Sequence, residues 1–266
     1  MKYSFMTFSV PEATLEEALA MAKRFGYDGI EPRAEAKQRH GVELDASAEQ
    51  RREVKKSARK TRVAIACVAT SCTYADPATS AENTRKTHEY IDLAADVGSS
   101  RIRVFGGKIG GGWSREKAIQ EVAAALSSVA DHARERGVVV CMETHDDWCD
   151  PLHVAEVMRK VGKPSIGVNW DIMHPVRAAG YKMESSLSPI QEWVHHVHFH
   201  DGVEQGGNIL MRRIGEGAID HGVAVRLLLK ARYKGYLSGE WIGWEIKAED
   251  HLPGELAMLK KLERAR

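Results

Sequence analysis

Several things are scarce in this chain, and each scarcity excludes something. Its 266 residues contain only four cysteines, Cys67, Cys72, Cys141 and Cys149, with no CxxC pair. That excludes a zinc knuckle and a thioredoxin-type redox pair. Cys67 and Cys141 sit inside apolar, strand-like runs, where a thiol acts as a small hydrophobe, so four reduced thiols are expected. Long apolar runs are missing, and nothing approaches the length that spans a bilayer. The opening MKYSFMTFSVPEAT has no apolar stretch leading to a small-residue cleavage site. These absences predict a cytoplasmic protein with no membrane segment. Charge of one sign is also lacking: 38 basic residues face 37 acidic ones. No overall field favours nucleic acid or an anionic membrane, so a ligand has to be recognised locally. Internal repeats, low-complexity stretches and linkers are absent too, and residues 1–266 are read as one domain.

What the chain does have is rhythm. Short apolar runs alternate with longer amphipathic ones, and hydrophobic residues make up 43% of the total, enough for a sizeable core. Strands are predicted at 3–9, 27–32, 63–70, 101–107, 138–146, 165–171, 194–201 and 236–241. Helices are predicted at 14–26, 46–61, 80–98, 114–137, 150–162, 185–193, 221–235 and 248–265. Thr14 with Glu17 reads as a capping box, and Gly26, Gly98 and Gly137 read as stops. Asp150 followed by Pro151 reads as a helix start. Eight strand–helix units in strict alternation require parallel strands, and a closed (β/α)8 TIM barrel of roughly 250 residues fits the length. An open nucleotide-binding sheet is the rival, but the glycine-rich FGGKIGGGW matches neither GxGxxG nor GxxxxGK[ST].

In such a barrel, chemistry collects at the C-terminal strand ends. Here those ends carry Glu31, Glu143 with His145, Asp171 with His174, His198 with His200, and Glu240. One glutamate at a strand end is ordinarily a solvated rim group, and one histidine ordinarily a core residue with a partner. Four successive strands ending in metal-competent residues are harder to dismiss. Alternation places Glu143, Asp171, His198 and Glu240 on faces that can converge at the barrel mouth. Three uncompensated carboxylates there would be costly, and a single divalent cation is the simplest compensation. Three oxygens and one nitrogen suit Mn²⁺ or Mg²⁺, then Co²⁺, with Zn²⁺ less favoured. His196, one layer deeper than His198, reads as a core histidine bonded to a neighbour. His200 is expected past the strand end.

The stretches YDGIE, VCMETHD, VNWDIMHP, HVHFHD, RIGEGAID and GYLSGEW, in that order, resemble the sugar phosphate isomerase/epimerase superfamily, the xylose-isomerase-like TIM barrels. The resemblance implies one metal held by Glu143, Asp171, His198 and Glu240. It also implies that Glu143 and Glu240 form the acid/base pair and that His174 contacts substrate. Two departures bear on function. The zinc AP endonucleases of this superfamily carry extra histidines after strands three and four and an Asp-x-His after strand seven. TSCTYAD, FGGKIGG and GVEQGGNILMRRIGEG lack them, which disfavours a nuclease. The arginine that ketose epimerases carry soon after the strand-seven histidine appears only later, as Arg212 and Arg213.

The reaction these residues point to is proton transfer next to a sugar carbonyl through an enediolate, giving epimerisation or aldose–ketose isomerisation. The same start with loss of a β-hydroxide gives a dehydratase for inosose-type polyols. A non-catalytic sugar-binding barrel is a further alternative, disfavoured because both glutamates are kept. The expected partner is a small sugar or sugar phosphate, and the family analogy raises a homo-oligomer. Glu31, His145 and His174 are candidate partners for substrate hydroxyls. Trp113 in GGGWS is a candidate cover for an apolar sugar face, and Arg213 a candidate for a phosphate or carboxylate.

Overall fold

The computed structural model describes residues 1–265. Its main sheet is a parallel TIM barrel. The strands are β1 (Lys2–Met6), β2 (Gly29–Glu31), β3 (Ala64–Ile65), β4 (Val68–Ala69), β5 (Arg101–Phe105), β6 (Val139–Glu143), β7 (Ile166–Asp171), β8 (Val194–Phe199) and, after a hairpin, β11 (Tyr236–Gly239). Their order is β3-β2-β1-β11-β8-β7-β6-β5-β4. The short β3 and β4 are two halves of the third predicted strand. One half pairs with β2 and the other with β5, and this joins the two edges of the sheet.

The outer layer is helical. α1 (Leu15–Phe25) begins with the predicted Thr14–Glu17 capping box and ends at Gly26 in a left-handed conformation, φ 85°. α2 (Ala48–Thr61) has a capping box of its own from Ser47 and Gln50. α3 (Ser80–Val97), α4 (Arg115–Arg136) and α5 (Pro151–Val161) follow the predicted spans closely, with Asp150 capping Leu152 ahead of α5. Outward strand residues such as Ile102, Val140, Met142, Val168 and Val197 are buried in the core cluster that also holds helix residues. Inward positions on the same strands, at the upper end, are polar.

Two expectations are corrected here. The helix predicted at 185–193 is instead α6 (His174–Ala179), α7 (Met183–Leu187) and a 3₁₀ turn at Gln191–Trp193. Pro189 fits the break, because a proline has no N–H to continue the helical hydrogen bonds. The helix predicted at 221–235 stops earlier, as α8 (His221–Lys230), and Arg232 turns left-handed at φ 55°. After β8 the chain forms a two-stranded antiparallel hairpin, β9 (Asp201–Gln205) and β10 (Asn208–Arg212). Gly206 and Gly207, at φ 59° and 81°, supply the two positive-φ residues of its turn. α9 (Ala248–Arg264) closes the layer.

Asp201, fully buried at the root of the hairpin, ties the next loop down. Its carboxylate accepts from the backbone N–H groups of Gly202, Gly215, Gly217 and Ile219 at 2.9 to 3.2 Å. Asp201→Ala leaves these donors unpaired. We expect a stability loss of ~1–3 kcal/mol and faster amide exchange at Gly215, Gly217 and Ile219 than elsewhere. Unchanged protection at those amides in hydrogen-exchange mass spectrometry would remove Asp201 from this role.

Candidate active site and metal centre

Four neighbouring staves, β6, β7, β8 and β11, bring Glu143, Asp171, His198 and Glu240 to one point. Glu143 and Asp171 are the last residues of their strands and Glu240 follows β11 directly. The Glu240 N–H donates to Phe199 O at 3.0 Å, which extends the pairing of β11 with β8 by one residue. One ligand atom from each of the four lies within 4.8 Å of the others. All four side chains are buried.

His198 is the centre of the arrangement. Its Nδ1 lies 3.2 Å from Glu143 Oε1, 3.0 Å from Glu240 Oε2 and 3.0 Å from Asn169 Nδ2. Its Nε2 lies 3.1 Å from Glu31 Oε1, and the other oxygen of Glu31 lies 2.7 Å from His196 Nε2. Asp171 Oδ1 accepts from the N–H groups of Met173 and His174, which fixes the turn into α6. Its Oδ2 is 2.8 Å from His200 Nε2. A buried arginine completes the floor. Arg103 on β5 places Nε 3.1 Å from Glu143 Oε2, and its Nη1 donates to Thr70 O at 2.9 Å. Its guanidinium carbon stands 4.0 Å from the centre of the Phe105 ring. From Phe105 a row of rings runs along the rim: His145 at 4.8 Å, His174 at 4.4 Å from His145, and His200 at 5.6 Å from His174.

Burial works against ionising these carboxyls, but the neighbours outweigh it. His196 and His198 hold Glu31 well below the usual carboxylate range. His200 and His174 hold Asp171 low, and His198 draws Glu240 down to about 2. Burial also disfavours a charged His198, yet Glu31, Glu240 and Glu143 push its pKa well above the ordinary value. His145 resists burial as well, and its hydrogen bond to Asp146, reinforced by Glu143, carries it up to about 9.

Four carboxylates share this interior with one guanidinium. Glu143 Oε2 and Asp171 Oδ2 are buried without an aligned hydrogen bond, although Arg103 and His200 stand close to them. Unsatisfied carboxylate oxygens next to an imidazole Nδ1 fit a hard divalent cation, which Glu143, Asp171, His198 and Glu240 could hold. A structural thiolate site has no basis here, since all four cysteines are free and none belongs to the cluster.

The placement of the remaining candidates is mixed. His145 and His174 sit on the rim beside the four-residue cluster. His196 is the partnered core histidine expected, and His200 follows β8 as expected but is drawn in against Asp171. Three expected substrate contacts lie elsewhere. Glu31 is fully buried beneath His198, and both of its oxygens are occupied by imidazoles, because β2 points it down the barrel axis. Trp113 lines a groove between α3 and α4 with Ala81, Thr84 and Ala125, outside the barrel. Arg213 faces α9, donating to Asp250 O at 3.0 Å and standing 3.9 Å from Glu255. Arg103 and Asn169 are functional candidates that the sequence reading missed. The signal for Arg103 was its phase, since it alternates with apolar Ile102 and Val104 on a strand flanked by others.

Comparison with known proteins agrees with this fold. The family model described as xylose isomerase-like TIM barrel matches residues 19–262. A curated relative, the 3'-dehydrocarminate deglycosidase alpha subunit of Microbacterium sp, is 36% identical over 73 residues. That alignment covers 27% of this chain and only 19% of the relative's length. Among solved structures, a D-psicose 3-epimerase in the presence of D-fructose superposes with a TM-score of 0.81 at 16% identity, covering 99% of both chains. A probable 3-DHS dehydratase of Bacillus anthracis superposes at 0.79 with 20% identity, covering 98% of this chain and 99% of that one. At such identities the structural likeness shows the fold alone. Among the described residues, no helix is long and apolar enough to cross a membrane.

Proposed function

The chain belongs to the xylose isomerase-like TIM barrel family, and from that premise we propose that it is a divalent-metal-dependent isomerase or epimerase of a small sugar or sugar phosphate. The observation that carries this reading is the pairing of two buried glutamates, Glu143 and Glu240, on the same His198 nitrogen at the barrel mouth. A cation held there by Glu143, Asp171, His198 and Glu240 would supply Lewis-acid stabilisation of the negative charge that builds on the substrate oxygens.

The chain's own residues do the rest. One of Glu143 and Glu240 takes the proton from the carbon next to the carbonyl, leaving an enediolate. The other returns a proton, to the opposite face for epimerisation or to the neighbouring carbon for isomerisation. His145 and His174 offer ring nitrogens at the rim for substrate hydroxyls, and Phe105 offers an apolar ring beside them. Asp171 holds its oxygen in place through the two N–H bonds at the start of α6.

The fold shared with a probable dehydratase supports elimination as a second reading, in which the same proton abstraction is followed by loss of a β-hydroxide. One experiment separates the two. The Mn²⁺- or Mg²⁺-loaded protein is incubated in D₂O with free and phosphorylated ketoses and with inosose, and followed by NMR. We expect deuterium at a carbon next to a carbonyl, lost on chelation and regained with metal. The product then shows an epimer, an isomer or an enone. No exchange with any member, at confirmed metal occupancy, would sink the proposal.

A further inference from the structure

Glu31 is the least expected member of the site, and the reading above gives it no task. It lies fully buried, with one oxygen on each of two imidazoles: Oε2 is 2.7 Å from His196 Nε2 and Oε1 is 3.1 Å from His198 Nε2. A carboxylate accepts, so the ring nitrogen facing it donates. His198 therefore carries a hydrogen on Nε2; its Nδ1 also faces carboxylates, so a cation held there would replace the hydrogen on Nδ1 and meet the lone pair of the neutral ring. The side-chain amide of Asn169 lies 3.0 Å from His198 Nδ1. Nδ1 is also the atom that meets Glu143 Oε1 and Glu240 Oε2. The ring is thus anchored on one nitrogen and presented by the other.

We propose that Glu31 is a positioning residue that fixes the tautomer and orientation of His198, so that Nδ1 completes the divalent-cation site together with Glu143, Asp171 and Glu240. His196 has the matching task of holding the second oxygen of Glu31, which stops the carboxylate from rotating away. His196 Nδ1 is buried with no partner of its own, so the hydrogen bond to Glu31 is the polar anchor of that ring. A carboxylate on the far nitrogen also makes a ligating imidazole more basic, and loss of such partners typically weakens metal binding about 10–100-fold. The inference rests on the proposed metal reading. It departs from the simpler expectation that a glutamate at a strand end meets a substrate hydroxyl.

The two roles predict different results without any turnover being measured. Metal-stripped wild type, Glu31→Gln and Glu31→Asp are titrated with Mn²⁺ by calorimetry in the absence of substrate. We expect Glu31→Gln to bind about 10–100-fold more weakly, with Glu31→Asp recovering part of the loss. Wild-type affinity in Glu31→Gln overturns the inference, and a raised KM at that unchanged affinity would return Glu31 to the substrate. If the wild type itself binds no Mn²⁺, the proposed function fails first, and the inference falls with it. A buried substitution can also unfold the protein, so the wild type carries a second test. In the ¹⁵N-histidine spectrum of protein loaded with ¹¹³Cd²⁺, one imidazole should couple to cadmium through Nδ1 and keep its proton on Nε2. Coupling through Nε2 would overturn the assignment whatever the variants do.

Discussion

Glu240→Gln should reduce α-proton exchange by ~10²–10⁴-fold, the range that a positioned acid or base contributes. The substitution keeps the shape and removes the basicity of a carboxylate that His198 holds ionised at 3.0 Å. Glu143→Gln should fall in the same range. The double variant should be little worse than the poorer single one, because partners in one proton relay are not additive. Both glutamates also belong to the candidate metal cluster, so metal occupancy is measured on each sample by elemental analysis before rates are compared. A fully loaded Glu240→Gln protein that keeps a tenth or more of wild-type exchange would show that the proton moves by another route.

The second large effect concerns stability. Arg103 is the one guanidinium on the floor of a carboxylate-rich interior, 1% exposed and 3.1 Å from Glu143. Arg103→Met keeps most of the apolar volume and the packing on Phe105. It strands Glu143, which is 0% exposed, and frees the carbonyl of Thr70. Breaking a buried pair from one side costs ~3–5 kcal/mol. For a chain of this size that corresponds to a melting temperature lower by about 10 °C. The drop should be largest after chelation and smaller with Mn²⁺ present, since the cation would compensate the same carboxylate. Calorimetry of both forms tests this, and equal drops with and without metal would mean that Arg103 and the cation do not share Glu143.

Much of this architecture was legible in the chain because periodicity and caps are local signals. The alternation of units pointed to the barrel, and Thr14, Glu17 and Asp150 marked helix starts that the structure keeps. The strand-end residues Glu143, Asp171, His198 and Glu240 were legible because a strand end in a parallel barrel has one place to go. Side-chain reach was not legible. Alternation puts Glu31 on the inner face, but only the depth of β8 across the barrel decides whether the carboxylate points up to the mouth or down to His196. Arg103 was hidden for a related reason: RIRVF reads as a strand with two solvated arginines until its neighbours on both sides are known. Trp113 and Arg213 sit in loops, where no period fixes direction, and nearby helices took both. The Gly206–Gly207 hairpin carries a readable signal, two glycines between runs of strand length.

The pairing of β7 with β8 is interrupted by a bulge between Val168 and Asn169: Val168 faces Val194, while Asn169 faces His196. His195 is the residue skipped, and its ring lies against Gly167, where an added Cβ would come within 2.4 Å. The bulge sets which parity of β8 looks inward. With it, His196 and His198 enter the barrel, while Val197 and Phe199 meet the helices. Heritable change in this strand is therefore constrained by counting more than by composition. Removing His195 would only close the bulge, with Val194 and His196 still facing Val168 and Asn169, whereas loss of Val197 would turn His198 off the inner face. Beyond the bulge, the spacing from His196 to His198 acts as a reading frame for the chemistry.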